Sequence, residues 1–258
     1  MAELIFLGTG AALPSVERAN TALAISLDGT DWLQIDAGGD IYRSLARAKI
    51  PPDGVKDLVI THAHIDHIGA LPSLIESFRL SGRHTPLRIW ALSEVQEVIQ
   101  RLLSLYRYEL TLDRWPFALD LRTIDSGSTP TLAGISTRFG RMDHALPSVG
   151  VRLDLPRGPV CYTCDTQPTP ALPALARDVD LLITECTFAH RDVADARISK
   201  HMTALEAGQQ AAEAGARALA LVHLGFGPRF SEAEARAEAG ISFKGSLLIP
   251  YDGQVIDV

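Results

Sequence analysis

Short apolar runs separated by turn residues make up the first part of the chain. Apolar stretches of this length, bounded by glycine and aspartate, are typical of strands. On this basis strands are predicted at residues 4–7, 21–27, 32–35, 55–60 and 87–92. Helices are predicted at residues 40–48, 68–80 and 93–106, with Gly82 ending the second helix and Ser93 capping the third.

The second half of the chain repeats this pattern. Further strands are predicted at residues 135–139, 149–153, 160–163, 181–184 and 218–223. The stretch 203–216 predicts a helix, because it is rich in alanine, the best helix former. The last apolar runs, residues 246–249 and 254–256, predict a closing hairpin around Asp252-Gly253.

Strands and helices therefore mix through both halves. This pattern favours an α/β (α+β) fold in which two mixed sheets pack together and helices flank them, an αββα sandwich. The length of 258 residues is compatible with one large domain, and we expect a single domain over residues 1–258.

The composition is that of a globular chain. Hydrophobic residues make up 47% of it, and no apolar run approaches the roughly 18–20 residues of a membrane span. The formal net charge of −7 disfavours an overall nucleic-acid-binding surface. Three cysteines make no disulfide framework, and the N-terminus lacks the features of a signal peptide. We therefore expect a cytoplasmic protein that does not contact a membrane.

The most specific pattern is Thr61-His62-Ala63-His64-Ile65-Asp66-His67, directly after a predicted strand. Imidazole and carboxylate groups are the ligand types that bind zinc. His62 and His64 are two residues apart, so a strand presents both on one side, whereas Asp66 and His67 can face a second point. This segment therefore predicts a site for two metal ions.

Three later residues extend the set. His144, Asp165 and His223 each stand near the end of a predicted apolar strand, where loops gather functional groups. The full set contains five imidazoles and two carboxylates, which only partly neutralise two divalent ions. The remaining positive charge could polarise a phosphate.

The order of these residues resembles that of the metallo-β-lactamase superfamily. Asp36, the H-x-H-x-D-H segment, His144, Asp165 and His223 match it along nearly the whole chain. Within the superfamily the chain looks most like ribonuclease Z and its relatives. The segments that resemble that group are Phe6-Leu7-Gly8-Thr9-Gly10, Asp143-His144-Ala145-Leu146-Pro147-Ser148-Val149-Gly150, Cys164-Asp165-Thr166, Glu185-Cys186-Thr187-Phe188, His201-Met202-Thr203 and Pro228-Arg229-Phe230.

The resemblance implies a set of ligands for each of two metal ions. One ion would be held by His62, His64 and His144. The other would be held by Asp66, His67 and His223, and Asp165 would bridge the two. The ions would be two Zn²⁺, although Mn²⁺ or Fe²⁺ could occupy the same ligands.

The resemblance also implies roles beside the metals. His201 would protonate the leaving alkoxide, and Glu185 would hold its ring in orientation. Asp66 would help to orient the attacking water. Asp36 would support the histidine cluster from outside the ligand set. Ser148 could donate to a substrate phosphate, or could equally be a turn residue.

The chain departs from ribonuclease Z in particular places. Cys164 and Ile65 stand where glycine is usual. Only 20 residues separate His144 from Asp165, an interval in which many ribonucleases Z carry an extruded arm that grips tRNA. The segment Pro156-Arg157-Gly158-Pro159 predicts only a hairpin in that interval, which puts tRNA processing in doubt.

Three interpretations follow. The leading one is a binuclear zinc phosphodiesterase that acts on small or cyclic phosphodiesters, or on another small ester, with RNA less favoured. The alternative is a ribonuclease Z-type endonuclease that processes tRNA 3′ ends. The third is a metal-binding protein without catalysis, which the presence of Glu185 and His201 disfavours. The resemblance also implies a homodimer as the oligomeric state to test.

Overall fold

Two seven-stranded β-sheets carry the described part of the chain, which is residues 2–106, 116–225 and 230–258 of a computed structural model. The first sheet has the order β14-β1-β2-β3-β4-β5-β6. Its strands are β1 (Glu3–Gly8), β2 (Ala22–Ser26), β3 (Trp32–Ile35), β4 (Val55–Val59), β5 (Leu87–Ala91), β6 (Leu119–Thr123) and β14 (Val255–Asp257). Strands β14 to β3 pair antiparallel, and β3 to β6 pair parallel.

The second sheet has the same mixed character, with the order β13-β12-β11-β10-β9-β8-β7. Its strands are β7 (Thr131–Leu132), β8 (Ile135–Met142), β9 (Ser148–Leu155), β10 (Gly158–Tyr162), β11 (Leu181–Cys186), β12 (Ala218–Leu224) and β13 (Ser246–Leu248). Strands β7 to β10 pair antiparallel, and β10 to β13 pair parallel. The predicted sandwich of two mixed sheets is therefore confirmed.

Helices flank both sheets. They are α1 (Ile41–Arg47), α2 (Ile65–Ile68), α3 (Leu71–Leu80), α4 (Ser93–Leu105), α5 (Ala171–Leu175), α6 (Val193–Ser199), α7 (Ala204–Ala214) and α8 (Glu232–Ser242). Helices α1 and α4 contact the first sheet, and α5 and α7 contact the second. Helix α7 begins with a capping box, in which the Thr203 hydroxyl accepts from the Glu206 amide and the Glu206 carboxylate accepts from the Thr203 amide.

The predicted helix over 68–80 is wrong in its start. The structure has the short helix α2, a break at Gly69-Ala70, and then α3. The break occurs because the Ala70 amide leaves the helix and donates to the carbonyl of Ala37 at 2.9 Å. Pro72, in the first turn of α3, lacks the N–H that a continuous helix would use. The predicted N-cap of α4, at Ser93, is one residue too late. The cap is Leu92, and the Ser93 hydroxyl donates to the Glu94 carboxylate.

The predicted hairpin at the end of the chain is wrong. Strand β13 pairs with β12 in the second sheet, whereas β14 pairs with β1 in the first. The turn between them is held by the segment after β1. The Asp252 carboxylate in that turn accepts from the Ala19 amide at 2.6 Å and from the Thr9 hydroxyl at 2.8 Å. The last segment of the chain therefore crosses from one sheet to the other.

Apolar side chains fill the space between the sheets and under the helices as one continuous buried cluster. Phe6, Ile25 and Leu33 of the first sheet belong to it, as do Phe139 and Tyr162 of the second. All three cysteines are buried and free. Among the described residues, no helix combines the length and the apolar character needed to cross a bilayer.

A buried carboxylate connects the two sheets near one edge. Asp57 on β4 is fully buried and accepts from the Arg88 guanidinium at 2.6 and 2.7 Å and from the Trp90 indole at 2.7 Å. It also accepts, at 2.7 Å, from the backbone amide of Ala133, which lies in the turn between β7 and β8 of the other sheet. A buried carboxylate is stabilised only when such donors surround it.

We predict that Asp57→Ala lowers the free energy of unfolding by about 2–4 kcal/mol, because it leaves buried donors without an acceptor. The shift of the urea midpoint would measure this loss. Asp154→Ala is the matched control, since the side chain of Asp154 is 67% exposed and should tolerate truncation. Equal midpoints for the two variants would contradict the connecting role.

Candidate metal centre

The histidine cluster lies where β4 runs out. His62 is fully buried, and His64 is the residue that caps α2. Asp66 and His67 lie in α2 itself, and both are buried. The sharp turn into this helix packs against Gly38, where a Cβ atom would come within 1.6 Å of the Asp66 carbonyl. Only glycine permits that approach.

The second sheet supplies the other residues of the predicted set. His144 follows β8 and Asp165 follows β10. His223 lies within β12 as an unpaired extra residue, because Val222 pairs with Glu185 and Leu224 with the next residue, Cys186. Its φ of 53° is left-handed. A bulge of this kind turns a side chain out of the ordinary alternation of a strand, and here it directs His223 to the cluster.

These residues form two groups that could each hold a metal ion. The first group is His62, His64, His144 and Asp165, and the second is Asp66, His67, Asp165 and His223. In the first, the His64 Nδ1 atom lies 3.1 Å from His62 Nε2 and 3.0 Å from His144 Nε2. In the second, the Asp66 Oδ2 atom lies 3.5 Å from His67 Nε2 and 3.2 Å from His223 Nε2.

Asp165 lies between the two groups. Its Oδ2 atom is 3.2 to 3.9 Å from the Nε2 atoms of four histidines, namely His62, His67, His144 and His223. Within the described residues, the buried atoms Asp165 Oδ1 and His67 Nε2 have no hydrogen-bond partner. Converging lone pairs with unpartnered buried atoms are what a metal ion would satisfy, so the donor set fits metal ions.

In the first group the electrostatics favour the neutral imidazole that binds metal. In the second group burial lowers the pKa of His67, but the charges of Asp165 and Asp36 outweigh it and raise that pKa well above its usual range. Burial is the main cause that lowers the pKa of His62, His64 and His144, and the charge of a neighbouring imidazole adds to it. The pKa of His62 lies well below its usual range. These histidines therefore present free lone pairs at neutral pH.

Asp36 lies behind the cluster. Its carboxylate accepts from the Thr61 amide at 2.8 Å, from the Thr61 hydroxyl at 3.0 Å and from His67 Nδ1 at 2.8 Å. Its φ of 67° is left-handed. Burial raises the pKa of Asp36, against the lowering effect of His67 and Thr61. The carboxylate does not reach the inner atoms of the two groups, and it orients the His67 ring.

Glu185 and His201 form a pair beside the second group. Both carboxylate oxygens of Glu185 are 2.9 Å from His201 Nδ1, and amides of Thr166 and Met202 donate to the same carboxylate at 2.6 and 3.1 Å. Burial lowers the pKa of His201, but the Glu185 carboxylate outweighs this and the pKa rises to about 9. The His201 ring also stacks on His223 with the ring centres 5.2 Å apart. A protonated imidazole is therefore held next to the candidate metal site.

Ser148 lies below the site. It is 1% exposed, and its hydroxyl donates to the carbonyl of Asp165 at 3.0 Å. This burial argues against the predicted contact with a substrate phosphate. The hydrogen bond instead holds the segment after β10 in which Asp165 lies. His84 is exposed on its loop. In the motif Pro228-Arg229-Phe230, the first two residues lie outside the described ranges.

The sequence did not single out several residues that support the ligands. The Thr61 and Thr187 hydroxyls lie 3.1 and 2.8 Å from the outer ring nitrogens of His62 and His223. The Lys200 carbonyl lies 3.0 Å from His144 Nδ1. Threonine and a backbone carbonyl carry no metal signal in a sequence. Only the position of Thr61 and Thr187 just after strands could have pointed to them.

Left-handed backbone concentrates at this site. Besides Asp36 and His223, the residues Cys164 and Lys200 have φ values of 54° and 56°. Such values cost free energy for residues other than glycine, and they cluster where function requires a particular geometry. At Cys164 the backbone adopts a conformation that glycine would adopt without steric cost.

Comparisons with known proteins agree with this geometry. A family model described as Anti-Pycsar protein Apyc1 matches residues 2–212. A ribonuclease Z of Halorubrum lacusprofundi is 29% identical, with 98% of this chain and 96% of the relative covered. The alignment extends over 303 positions, so at least 45 of them have no counterpart among the 258 residues of this chain.

Solved structures share the fold. The metallo-beta-lactamase fold protein YhfI from Bacillus subtilis has a TM-score of 0.85 at 24% identity, and all of both chains is covered. Zn²⁺-bound PqqB from Methylobacterium extorquens has a TM-score of 0.76 at 16% identity, with 99% of this chain and 100% of that chain covered. Together with the ribonuclease Z relatives, these matches confirm the predicted resemblance to the metallo-β-lactamase superfamily and its ribonuclease Z-like branch.

We predict that the protein purifies with about two metal ions per chain and that His64→Ala loses about one of them, because a three-histidine group loses one ligand. Elemental analysis of protein purified without added metal would measure both values. His84→Ala is the control, since it removes an exposed histidine and should keep the full metal content. Wild-type protein that contains no metal, and takes up neither zinc nor manganese, would contradict the metal centre.

Proposed function

We propose that this chain, which belongs to the family of the Anti-Pycsar protein Apyc1, is a phosphodiesterase that works with two metal ions. The chain is a metal-dependent hydrolase of the metallo-β-lactamase fold. The observation that carries the finer proposal is the Glu185–His201 pair, a proton donor placed beside two groups of metal-binding atoms.

The proposed metal ligands are those of the two groups. His62, His64 and His144 would hold one ion, Asp66, His67 and His223 the other, and Asp165 would lie between them. We propose zinc, which imidazole and carboxylate ligands suit, with manganese and iron as substitutes. Two such ions, when bound, polarise a phosphoryl oxygen and lower the pKa of water.

The protein residues contribute orientation and proton transfer. The carboxylates of Asp66 and Asp165 face the ring nitrogens of the cluster and are placed to orient an attacking water. The Glu185 carboxylate holds His201 through Nδ1, which leaves Nε2 to give a proton to the leaving oxygen. Because its pKa is raised to about 9, His201 carries that proton at neutral pH.

RNA is the first candidate substrate. The curated relatives that match nearly the whole chain are named ribonuclease Z, and their names favour RNA over a small phosphodiester. This reverses the order that we expected from the sequence. The phosphodiester chemistry is the same in both cases, so the metal centre and His201 would serve either substrate.

A small or cyclic phosphodiester is the second candidate, and one structural observation favours it. Strands β9 and β10 pair from Leu155 and Gly158 onward, so only Pro156 and Arg157 form the turn between them. No arm extends from this hairpin. In the alignment with the Halorubrum relative, at least 45 of the 303 positions also have no counterpart in this chain of 258 residues.

We predict that His201→Ala slows hydrolysis of a phosphodiester with an alkoxide leaving group much more than hydrolysis of a nitrophenyl ester. The proton donor accelerates departure of a poor leaving group, typically by about 10²–10⁴-fold, and matters little for a good one. Turnover of both substrates by the variant, at unchanged metal content, is the measurement. His84→Ala serves as the control, and an equal loss on both substrates would show that His201 shapes the site instead.

The substrate class can be tested by comparing a precursor tRNA with a cyclic nucleotide. If RNA is the substrate, we expect cleavage of the precursor tRNA at its 3′ end at nanomolar enzyme, and binding that falls steeply with salt between about 50 and 200 mM, because each neutralised phosphate contributes roughly 0.7–0.9 to the log–log slope. If a small phosphodiester is the substrate, we expect shallow salt dependence of tRNA binding, because no arm extends from the β9–β10 hairpin. Turnover of the cyclic nucleotide with intact tRNA would establish the second candidate.

A further inference from the structure

The outer nitrogen of each metal-facing imidazole needs a hydrogen-bond acceptor, because that bond fixes the tautomer and the orientation of the ring. For His67 the acceptor is a carboxylate, Asp36, in direct contact at 2.8 Å. For His62 and His223 the partner is a threonine hydroxyl. A hydroxyl differs from a carboxylate in that it can accept from the imidazole and donate to something else.

Thr187 follows β11 directly, and its hydroxyl has two short contacts with functional side chains and a longer one, of 3.4 Å, with His201 Nδ1. Its Oγ1 atom is 2.8 Å from His223 Nδ1 and 2.8 Å from Glu185 Oε2. The Nε2 atom of His223 faces Asp66 and Asp165, so Nδ1 carries the proton and donates to the hydroxyl. The hydroxyl proton then goes to Glu185, since the alternative acceptor, the His223 carbonyl, is 3.3 Å away.

We propose that Thr187 is a positioning residue that connects the metal-binding His223 to the Glu185 carboxylate. Glu185 would thereby orient two imidazoles, His201 directly and His223 through the hydroxyl. The inference rests on the proposed metal centre. It adds that the ligand of the second metal ion and the proton donor share one carboxylate.

An independent group of residues on the first sheet has the same arrangement. The Thr61 hydroxyl lies 3.0 Å from both oxygens of Asp36 and 3.1 Å from His62 Nδ1, and Asp36 holds His67 directly. One buried carboxylate therefore serves two histidines there as well, one of them through a threonine two residues after the end of β4. The recurrence in unrelated segments indicates that the hydroxyl has a role in ligand orientation.

Glu185 does not depend on Thr187 for its own position. Amide groups of Thr166 and Met202 donate to its two oxygens, and His201 donates as well. Removal of the hydroxyl also removes its 3.4 Å contact with His201 Nδ1, but that nitrogen keeps its 2.9 Å contacts with Glu185. The Glu185–His201 pair should therefore stay in place, while the outer nitrogen of His223 loses its partner. The effect should appear in metal binding and not in leaving-group protonation.

The test compares Thr187→Val, which keeps the shape and removes the hydroxyl, with Thr187→Ser, which keeps the hydroxyl. Loss of the hydrogen-bond partner behind a metal ligand typically lowers metal affinity about 10- to 100-fold. In the valine variant we expect this loss for one of two zinc ions, the one that His223 would hold. Competition with a chromophoric chelator measures the affinity. The serine variant should recover it almost completely. The visible spectrum of the cobalt-loaded protein should change in the valine variant alone.

Thr184→Val is the matched control. Thr184 is a buried threonine on β11, the strand just before Thr187, and among the described residues its hydroxyl contacts only Thr163. It should keep wild-type metal affinity. If the valine variant of Thr187 does not fold, Thr187→Ala is judged by the same criterion.

One result would overturn the inference while the wild type still binds two metals, namely wild-type affinity for both ions in Thr187→Val. If that unchanged affinity comes with a larger difference between alkoxide and nitrophenolate substrates, the effect of the hydroxyl lies on His201 instead. A wild type that binds no metal would refute the proposed function itself and is thus a separate outcome.

Discussion

The convergence of ring nitrogens on one buried carboxylate oxygen is the constraint on which the rest of the structure depends. Four Nε2 atoms lie within 3.9 Å of Asp165 Oδ2. Two of them come from the segment after β4 and two from the second sheet, so neither sheet can build the site alone. The left-handed residues, the bulge at His223 and the close approach at Gly38 all bring backbone into positions that ordinary strands and helices do not reach.

The two carboxylates outside this centre, Asp36 and Glu185, each support a different set of histidines. Asp36 supports the histidines that follow β4, and Glu185 supports His201 and contacts the hydroxyl beside His223. Both are almost completely buried, where an unpartnered carboxylate would be costly. Their many donors make them rigid, and rigidity is what a ligand set requires if it is to keep its geometry without help from the substrate.

The sequence predicted the parts of this site that are local. The spacing of His62, His64 and His67 is visible within six residues, and strand ends were found from apolar runs. Pairing between distant segments was not accessible: the last two strands read as a hairpin, although they join different sheets. Short elements such as β7 and α5 have too few residues to show a period. The roles of Thr61 and Thr187 depend on contacts that no spacing encodes.

The pairing of β14 with β1 has a consequence for synthesis on the ribosome. Strand β1 has β2 on one side, but its other partner is β14, at residues 255–257, so the two partners are synthesised far apart in time. Until β14 is made, the nascent first sheet presents this side of β1 as an open edge, which is a template for unwanted pairing. The order of translation thus leaves this edge exposed to aggregation until residues 255–257 leave the ribosome and pair with β1.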